Sequence, residues 1–446
     1  MTTSKNIILH LGLGAFHKAH QASYLQELYD LNDGNWSIIA SNVRNDDLDG
    51  LANMVSSKGI FTLETIDAHG ARTYKSITSI KKVIPWSENA EQLALLVADS
   101  AVKIISFTVT EAGYYLNSDN SLNFDHADII AHITHGKSNT IYGALTRILD
   151  ARRQANGEPL TLLSCDNLQQ NGCRFRLGFM AYLEKTNQHE LLAWVSENTS
   201  MPNSVVDCIT PKPTEIMRQR VAEAIGYYDI NAVMSEGYKQ WVIEDNFING
   251  RPAWEKVGVA LVDDVRVYEN AKISMLNASH SCIGWAGALR DYEYIHEAIN
   301  DPVVLRFTED FLCQEVIPSL QPSSIDLTQY KNNIIERFNN ASLADTVARI
   351  CTDSEAKMAG FIVPTISRRI EQNQSIIACA RVAVLYYLFL CEWHTHKSDF
   401  EYSLSVDDFV NNPQIFQHLA GNKPFVSAVL EQLPWVQQQL LSMQKL

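Results

Sequence analysis

The chain has 446 residues, an ordinary hydrophobic fraction of 46% and a formal net charge of −15. That length exceeds one core of typical size and implies two domains or three. The acidic balance opposes a nucleic-acid backbone or an anionic membrane as partner and leaves a small neutral molecule open.

In chain order, the N-terminal stretch MTTSKNIILHLGLGAFH has only a short apolar run, broken at His10 and by two glycines, so no signal peptide is expected. Asn6 to Leu11 reads as a short buried strand running straight into Gly12-Leu13-Gly14. A helix pattern follows, with Phe16, Ala19, Tyr24, Leu25 and Leu28 mostly at i+3/i+4 spacing. Further strands are expected at 36–43, 60–66, 102–109 and 160–164, the last preceded by a helix from about 140 to 155. Alternating strands and helices imply an α/β, Rossmann-like unit: a mainly parallel sheet with helices on both faces.

From about Tyr268 the pattern becomes mainly α-helical, with helices expected at 269–290, 303–318, 341–351, 355–372 and 375–395. Pro302, Pro318 and Pro322 fall near these boundaries, while Pro364 is expected to kink or split its segment. The reading is a dinucleotide-binding domain over 1–260 and a helical substrate and catalytic domain over 261–446. The longest apolar run, Val382 to Cys391, is too short to cross a bilayer. Eight scattered cysteines without a C-x-x-C pair suit reduced thiols in a cytoplasmic protein. His17 with His20, and Cys391 with His394 and His396, are the candidate metal ligands. Neither set completes a site, and no metal is expected.

Gly12, Leu13, Gly14, Ala15 and Phe16 form the candidate pyrophosphate loop. Two glycines permit a tight turn and a close backbone approach, and the helix that follows offers free N–H groups. The third place of the usual glycine fingerprint is His17. After the second strand, Asp46 or Asp47 could accept from an adenosine ribose, whereas Arg44 would suit a 2′-phosphate; the balance of this reading favours NAD.

Lys272, Asn277 and His280 are the candidate catalytic groups: an amine, an amide and an imidazole can take a proton from an alcohol as a hydride leaves its carbon. At α-helical pitch Asn277 and His280 lie about 60° apart, and Lys272 lies about 80° from His280. A lysine serves as base near neutral pH only if its pKa falls from ~10.4 towards ~7–8. Amide donors aimed at the forming oxyanion are worth about 10²–10³ each in rate.

LGLGAFHKAHQASYL, the stretch from Thr108 to Tyr114 (TVTEAGY), the stretch from Ser164 to Gly172 (SCDNLQQNG) and the K-x4-N-x2-H run at 272–280 occur in this order. Together they resemble the long-chain mannitol dehydrogenase family of polyol-specific dehydrogenases, with Ala112 in place of a family glycine. The resemblance implies an NAD-dependent, metal-independent enzyme, a monomer, that oxidises a secondary alcohol of a linear polyol to a ketose. It implies Lys272 as general base, Asn277 and Asn167 as donors to the reacting oxygen, and His280 on a substrate hydroxyl. Arg349 and Lys357 are implied to reach the substrate chain, Glu269 to relay the proton, and Thr110 and Glu111 to lie on the cofactor side. ASNVRNDD, ITSIKKVIPW and NTIYGALTRILDAR further resemble the branch of the family that converts D-arabinitol to D-xylulose. Mannitol oxidation and the reduction of a hexuronate, fructuronate or tagaturonate, are the alternatives, and a non-catalytic nucleotide-binding protein is a more distant one.

Overall fold

A computed structural model describes residues 6–45, 47–88, 90–117, 119–135, 140–395, 419 and 422–441. The described chain divides into two compact units. The first runs to Asp67 and from Ala71 to Arg266; the second takes Ala68–Gly70 and continues from Val267.

The strands of the first unit are β1 (Asn6–Leu11), β2 (Trp36–Ser41), β3 (Phe61–Ile66), β4 (Arg72–Ile77), β5 (Ile80–Val83), β6 (Val102–Phe107) and β7 (Leu160–Ser164). β8 (Thr199–Ser200), β9 (Ser204–Asp207), β10 (Val233–Glu236), β11 (Gln240–Glu244) and β12 (Ala260–Val262) follow. Six of them build a wholly parallel sheet in the order β5-β2-β1-β6-β7-β8. β1 is an inner strand because both its faces are apolar. Leu9 and Leu11 join Ile105, Phe107 and Phe175 on one side, and Ile8 joins Ile38, Ile104 and Leu25 on the other. Each such fully buried side chain contributes roughly 1.5–3 kcal/mol, and a parallel sheet needs both faces covered. The chain steps outward from β1 to β2 and β5, then returns to β6, so the strand order reverses between β1 and β6.

Three expectations are corrected. The run at 60–66 does form a strand, but β3 lies in a separate three-stranded sheet, parallel to β10 and antiparallel to β4. Its fully buried Glu64 is the reason it suits that place: the carboxylate takes Arg220, Arg72 and the Tyr74 hydroxyl, the last two from β4. The helix after Gly14 is interrupted, forming Ala15–Ala19 and Gln21–Asp30 about His20, whose Nε2 lies 3.0 Å from the Gln240 carbonyl. Strands β4, β5 and β8 to β12 were not anticipated.

The second unit is helical, as expected, around one large core. Its central helix, Ala278–Ala288, is buried nearly all round. At Gly284 a Cβ would come within 2.7 Å of Ile350 Cγ2, so the missing side chain lets the helix Val347–Cys351 lie close against it. Trp285 Nε1 donates to Ser354 Oγ at 2.8 Å, and that hydroxyl donates to the Cys351 carbonyl at 2.8 Å, tying the next turn to the same helix. Three of the expected helices contain π-helical segments: Lys272–Asn277, Leu312–Val316 and Met358–Ile362. Pro364 does not split its segment. It follows directly on the last of these, where the hydrogen-bond register changes and a missing N–H costs least. The run at 341–351 breaks into Ala341–Leu343 and Val347–Cys351, and helices Leu327–Phe338 and Lys423–Leu441 are additional. Among the described residues no helix is long and apolar enough to cross a membrane, and no group of three His, Cys, Asp or Glu side chains could hold a metal ion.

Candidate active site

The glycine turn sits at the carboxyl end of β1, beside the reversal of strand order. Gly12 has φ +102°, and a Cβ there would fall 2.0 Å from the Thr108 carbonyl oxygen, so no other residue fits. Its carbonyl accepts from the Thr108 hydroxyl at 2.8 Å and from His10 Nε2 at 3.1 Å, and the Leu13 N–H donates to Asn42 Oδ1 at 2.8 Å. Gly14 is different. It is exposed, caps the helix Ala15–Ala19 with no side-chain bond, and a Cβ there would meet no protein atom within 4 Å. The bareness of Gly12 serves the fold, and that of Gly14 leaves room for a ligand to approach, which fits a pyrophosphate. Leu13 is buried; Ala15 and Phe16 are partly so. His17, at the third fingerprint place, stacks on His10 at 3.4 Å, and burial pushes its imidazole down to about 3, so it is neutral.

Beside this turn, Thr110 is held at φ 63°, ψ 164°, a region that costs a non-glycine residue of order 1–3 kcal/mol. A buried carboxylate that the sequence reading passed over, Asp166, holds it there. Its oxygens accept the N–H groups of Val109 at 2.9 Å and Thr110 at 2.8 Å and the Tyr114 hydroxyl at 2.9 Å. Burial raises this acid to about 6, against the hydrogen bonds that stabilise its charge. Asn167 and Glu111 are exposed next to it at the strand ends. The only signal for Asp166 was one acidic residue closing an apolar strand.

Of the residues after β2, Asp46 lies outside the described residues. Asp47 is committed to the fold: its carboxylate accepts the Gly50 N–H at 3.0 Å as N-cap of the helix Leu48–Ser56.

In the second unit Lys272 is 8% exposed and Glu269, three residues earlier, 5%. The α-helical geometry expected for this stretch is corrected. At α pitch Lys272 and Asn277 would diverge by about 140°. The π segment that begins at Lys272 and ends at Asn277 bonds i to i+5, and its wider turn narrows that divergence. The buried lysine thus opens the segment that the half-buried amide closes.

His280, 16% exposed, follows on the regular helix, with its ring 4.7 Å from that of Phe338. Its Nε2 lies 3.2 Å from Asp345 Oδ2, at ion-pair distance. Burial lowers the imidazole's pKa, and Asp345 works against that shift. Arg349 forks onto the same carboxylate, Nε at 2.8 Å and a terminal nitrogen at 2.7 Å, and remains 62% exposed. Lys357 donates to the carbonyls of Ile350 and Thr352, both at 2.7 Å, closing the end of the helix that carries Arg349. Asp345 was missed because nothing local marks an acidic residue four before an arginine as more than a helix-surface pair.

A parallel sheet with a glycine turn at its reversal point, continued in sequence by a helical unit that buries a lysine, is the architecture of a Rossmann-fold dehydrogenase. Residues 6–256 match the family model of the mannitol dehydrogenase Rossmann domain, and residues 264–437 that of the mannitol dehydrogenase C-terminal domain. The chain belongs to the mannitol dehydrogenase family. It is 42% identical over 441 residues to a D-arabinitol 4-dehydrogenase of Ralstonia nicotianae, covering 95% of each chain. It is 38% identical to a D-arabinitol 4-dehydrogenase of Klebsiella pneumoniae, over 95% of this chain and 97% of that one. Among solved structures, the Pseudomonas fluorescens mannitol 2-dehydrogenase in ternary complex with NAD and D-mannitol aligns with a TM-score of 0.81 and 31% identity, over 98% of this chain and 94% of that one.

Proposed function

We propose that the protein is an NAD-dependent polyol dehydrogenase that oxidises D-arabinitol to D-xylulose. The observation that carries this reading is buried Lys272 at the head of the π segment that ends at Asn277, in a chain that aligns over 95% of its length with two D-arabinitol 4-dehydrogenases. Lys272 takes the proton of the reacting hydroxyl. Asn277 donates an amide N–H to the oxygen, which carries growing negative charge as that proton leaves. The carbon–hydrogen bond breaks with its electron pair, and NAD, when bound at the glycine turn, supplies the acceptor for that hydride. Glu269, buried one turn before Lys272, is placed in the sequence to pass the proton on. His280, backed by Asp345, binds a second hydroxyl of the substrate, and Arg349 and Lys357 lie in the segment expected to meet the rest of its chain. Asn167 keeps the role the resemblance gives it. The enzyme acts in the cytoplasm as a monomer.

The test is NADH formation by absorbance at alkaline pH with D-arabinitol, D-mannitol, D-sorbitol, L-arabinitol and xylitol, each with NAD and with NADP. D-Arabinitol with NAD should give the highest turnover. Turnover of D-mannitol alone would move the protein to the hexitol branch. Silence on every polyol together with NADH oxidation by fructuronate or tagaturonate would overturn the reading.

A further inference from the structure

The glycine turn accounts for the pyrophosphate but not for a charged cluster beside it. Arg44 lies three residues beyond the end of β2. One of its terminal nitrogens is 3.1 Å from Asp128 Oδ2, in the first turn of the helix Ala127–His135 that follows β6. Between them stands Tyr115. Its hydroxyl accepts from the guanidinium and donates to the same Asp128 oxygen at 3.0 Å, and its ring centre is 5.8 Å from the guanidinium carbon. His126 Nδ1 is a further 4.0 Å from that oxygen.

Topology says where this cluster lies. β1 sits between β2 and β6, and the three strands are parallel. A link from the loop after β2 to the helix after β6 therefore passes above the carboxyl end of β1. That is the switch point of the sheet, where open α/β sheets take a dinucleotide and where the segment after the second strand reads the adenosine ribose. An arginine at this place, left free, suits a 2′-phosphate, because a guanidinium fork matches phosphate oxygens. In this protein one terminal nitrogen of that fork is already held by a carboxylate and a phenol.

We propose that Asp128 sets the choice of cofactor: by holding and neutralising Arg44 it withholds the guanidinium from the 2′-phosphate of NADP and opposes that phosphate with its own charge. The inference rests on the dehydrogenase reading above. Arg44 and Asp128 are 41% and 40% exposed, so a phosphate can reach the pair and a single substitution can open it. Tyr115 fixes the spacing, which makes the pair more than a chance meeting of two mobile side chains.

The experiment is equilibrium titration with NADH and with NADPH, followed by nucleotide fluorescence, on the full-length protein, Asp128→Asn, and Asp128→Asn combined with Arg44→Ala. Polyol oxidation with NAD and NADP is measured alongside. The wild type should prefer NADH. Asp128→Asn should raise the NADPH-to-NADH affinity ratio by about tenfold or more, and the double variant should lose that gain. Asp128→Ser replaces the Asn variant if the latter does not melt as a folded protein. An unchanged ratio in the single variant, or an equal gain in the double variant, overturns the proposal. So does a wild type that binds NADPH as tightly as NADH, with the dehydrogenase reading left intact. A wild type that binds neither nucleotide and turns over no polyol removes that reading and this inference together.

Discussion

His280 Nε2 stands 3.2 Å from Asp345 Oδ2, and the same carboxylate receives the Arg349 fork. Two side chains proposed to meet the substrate are thus positioned by a third that does not itself need to touch it. Removing the charge of Asp345 leaves the imidazole without its orienting partner and the guanidinium free to swing. Misplacing a substrate-binding group by about 1 Å can cost about 10²-fold. Asp345→Asn should therefore lower kcat/KM for the polyol by about that factor, chiefly through KM, while the NADH dissociation constant stays at the wild-type value. Steady-state kinetics with a parallel NADH titration check this. An unchanged KM would mean that His280 and Arg349 do not meet the substrate.

Lys272→Ala tests the chemistry itself. A positioned acid or base contributes about 10²–10⁴-fold, so turnover should fall by orders of magnitude with NADH binding nearly intact. Because the wild-type base must lose its proton before it acts, oxidation should quicken with rising pH, and the alanine variant should lose that dependence. Full activity in the variant would end the assignment.

How far these groups could be read from the sequence follows from what is local. β1, the glycine turn and β7 were legible because buried apolar runs and paired glycines announce themselves over a few residues. β8 to β12 were not: they are two to five residues long and mix polar with apolar positions, so no period rises above the loops. Lys272, Asn277 and His280 could be named from their spacing, but the π segment that links the first two could not, because the hydrophobic pattern of a π turn does not differ from that of an α turn at this length. Asp166 and Asp345 take their meaning from partners far along the chain, the amides after β6 and an imidazole on the central helix of the second unit. Helix Leu327–Phe338 did carry a signal: Asp326 as N-cap and Leu327, Tyr330, Ile334 and Phe338 on one buried face.

Asp166 makes a prediction with a definite sign. Its folded pKa, about 6, lies above the ordinary 3.8. The folded protein therefore binds this proton more tightly than the unfolded chain. The contribution to stability is full below about pH 3.8 and is lost as pH rises to about 6, by an order-of-magnitude ~3 kcal/mol. His280, whose pKa is lowered, acts in the opposite sense and loses stability as pH falls below its ordinary value. Subtracting the two proteins' denaturant stabilities isolates the acid: wild type relative to Asp166→Asn should weaken steadily from pH 4 to 6 and level off above. A flat difference would show that the hydrogen bonds from Val109, Thr110 and Tyr114 already offset the cost of burying the charge.

The two glycines of the turn should fail in different ways. Alanine at Gly12 must accept φ +102° and a Cβ 2.0 Å from the Thr108 carbonyl oxygen. The left-handed conformation alone costs roughly 1–2 kcal/mol, and the overlap adds to it by pushing β6 away from β1. Gly12→Ala should therefore melt well below wild type before any question of binding arises. Gly14 has φ −99° and ψ −179°, an extended conformation open to alanine, and a Cβ there meets no protein atom within 4 Å. Gly14→Ala should keep the wild-type melting temperature and lose NADH affinity by about tenfold or more, since the added methyl occupies the space through which a pyrophosphate approaches the backbone. Thermal melts and NADH titration on both variants decide it. A Gly14→Ala protein that binds NADH as tightly as wild type would place the cofactor's phosphates elsewhere.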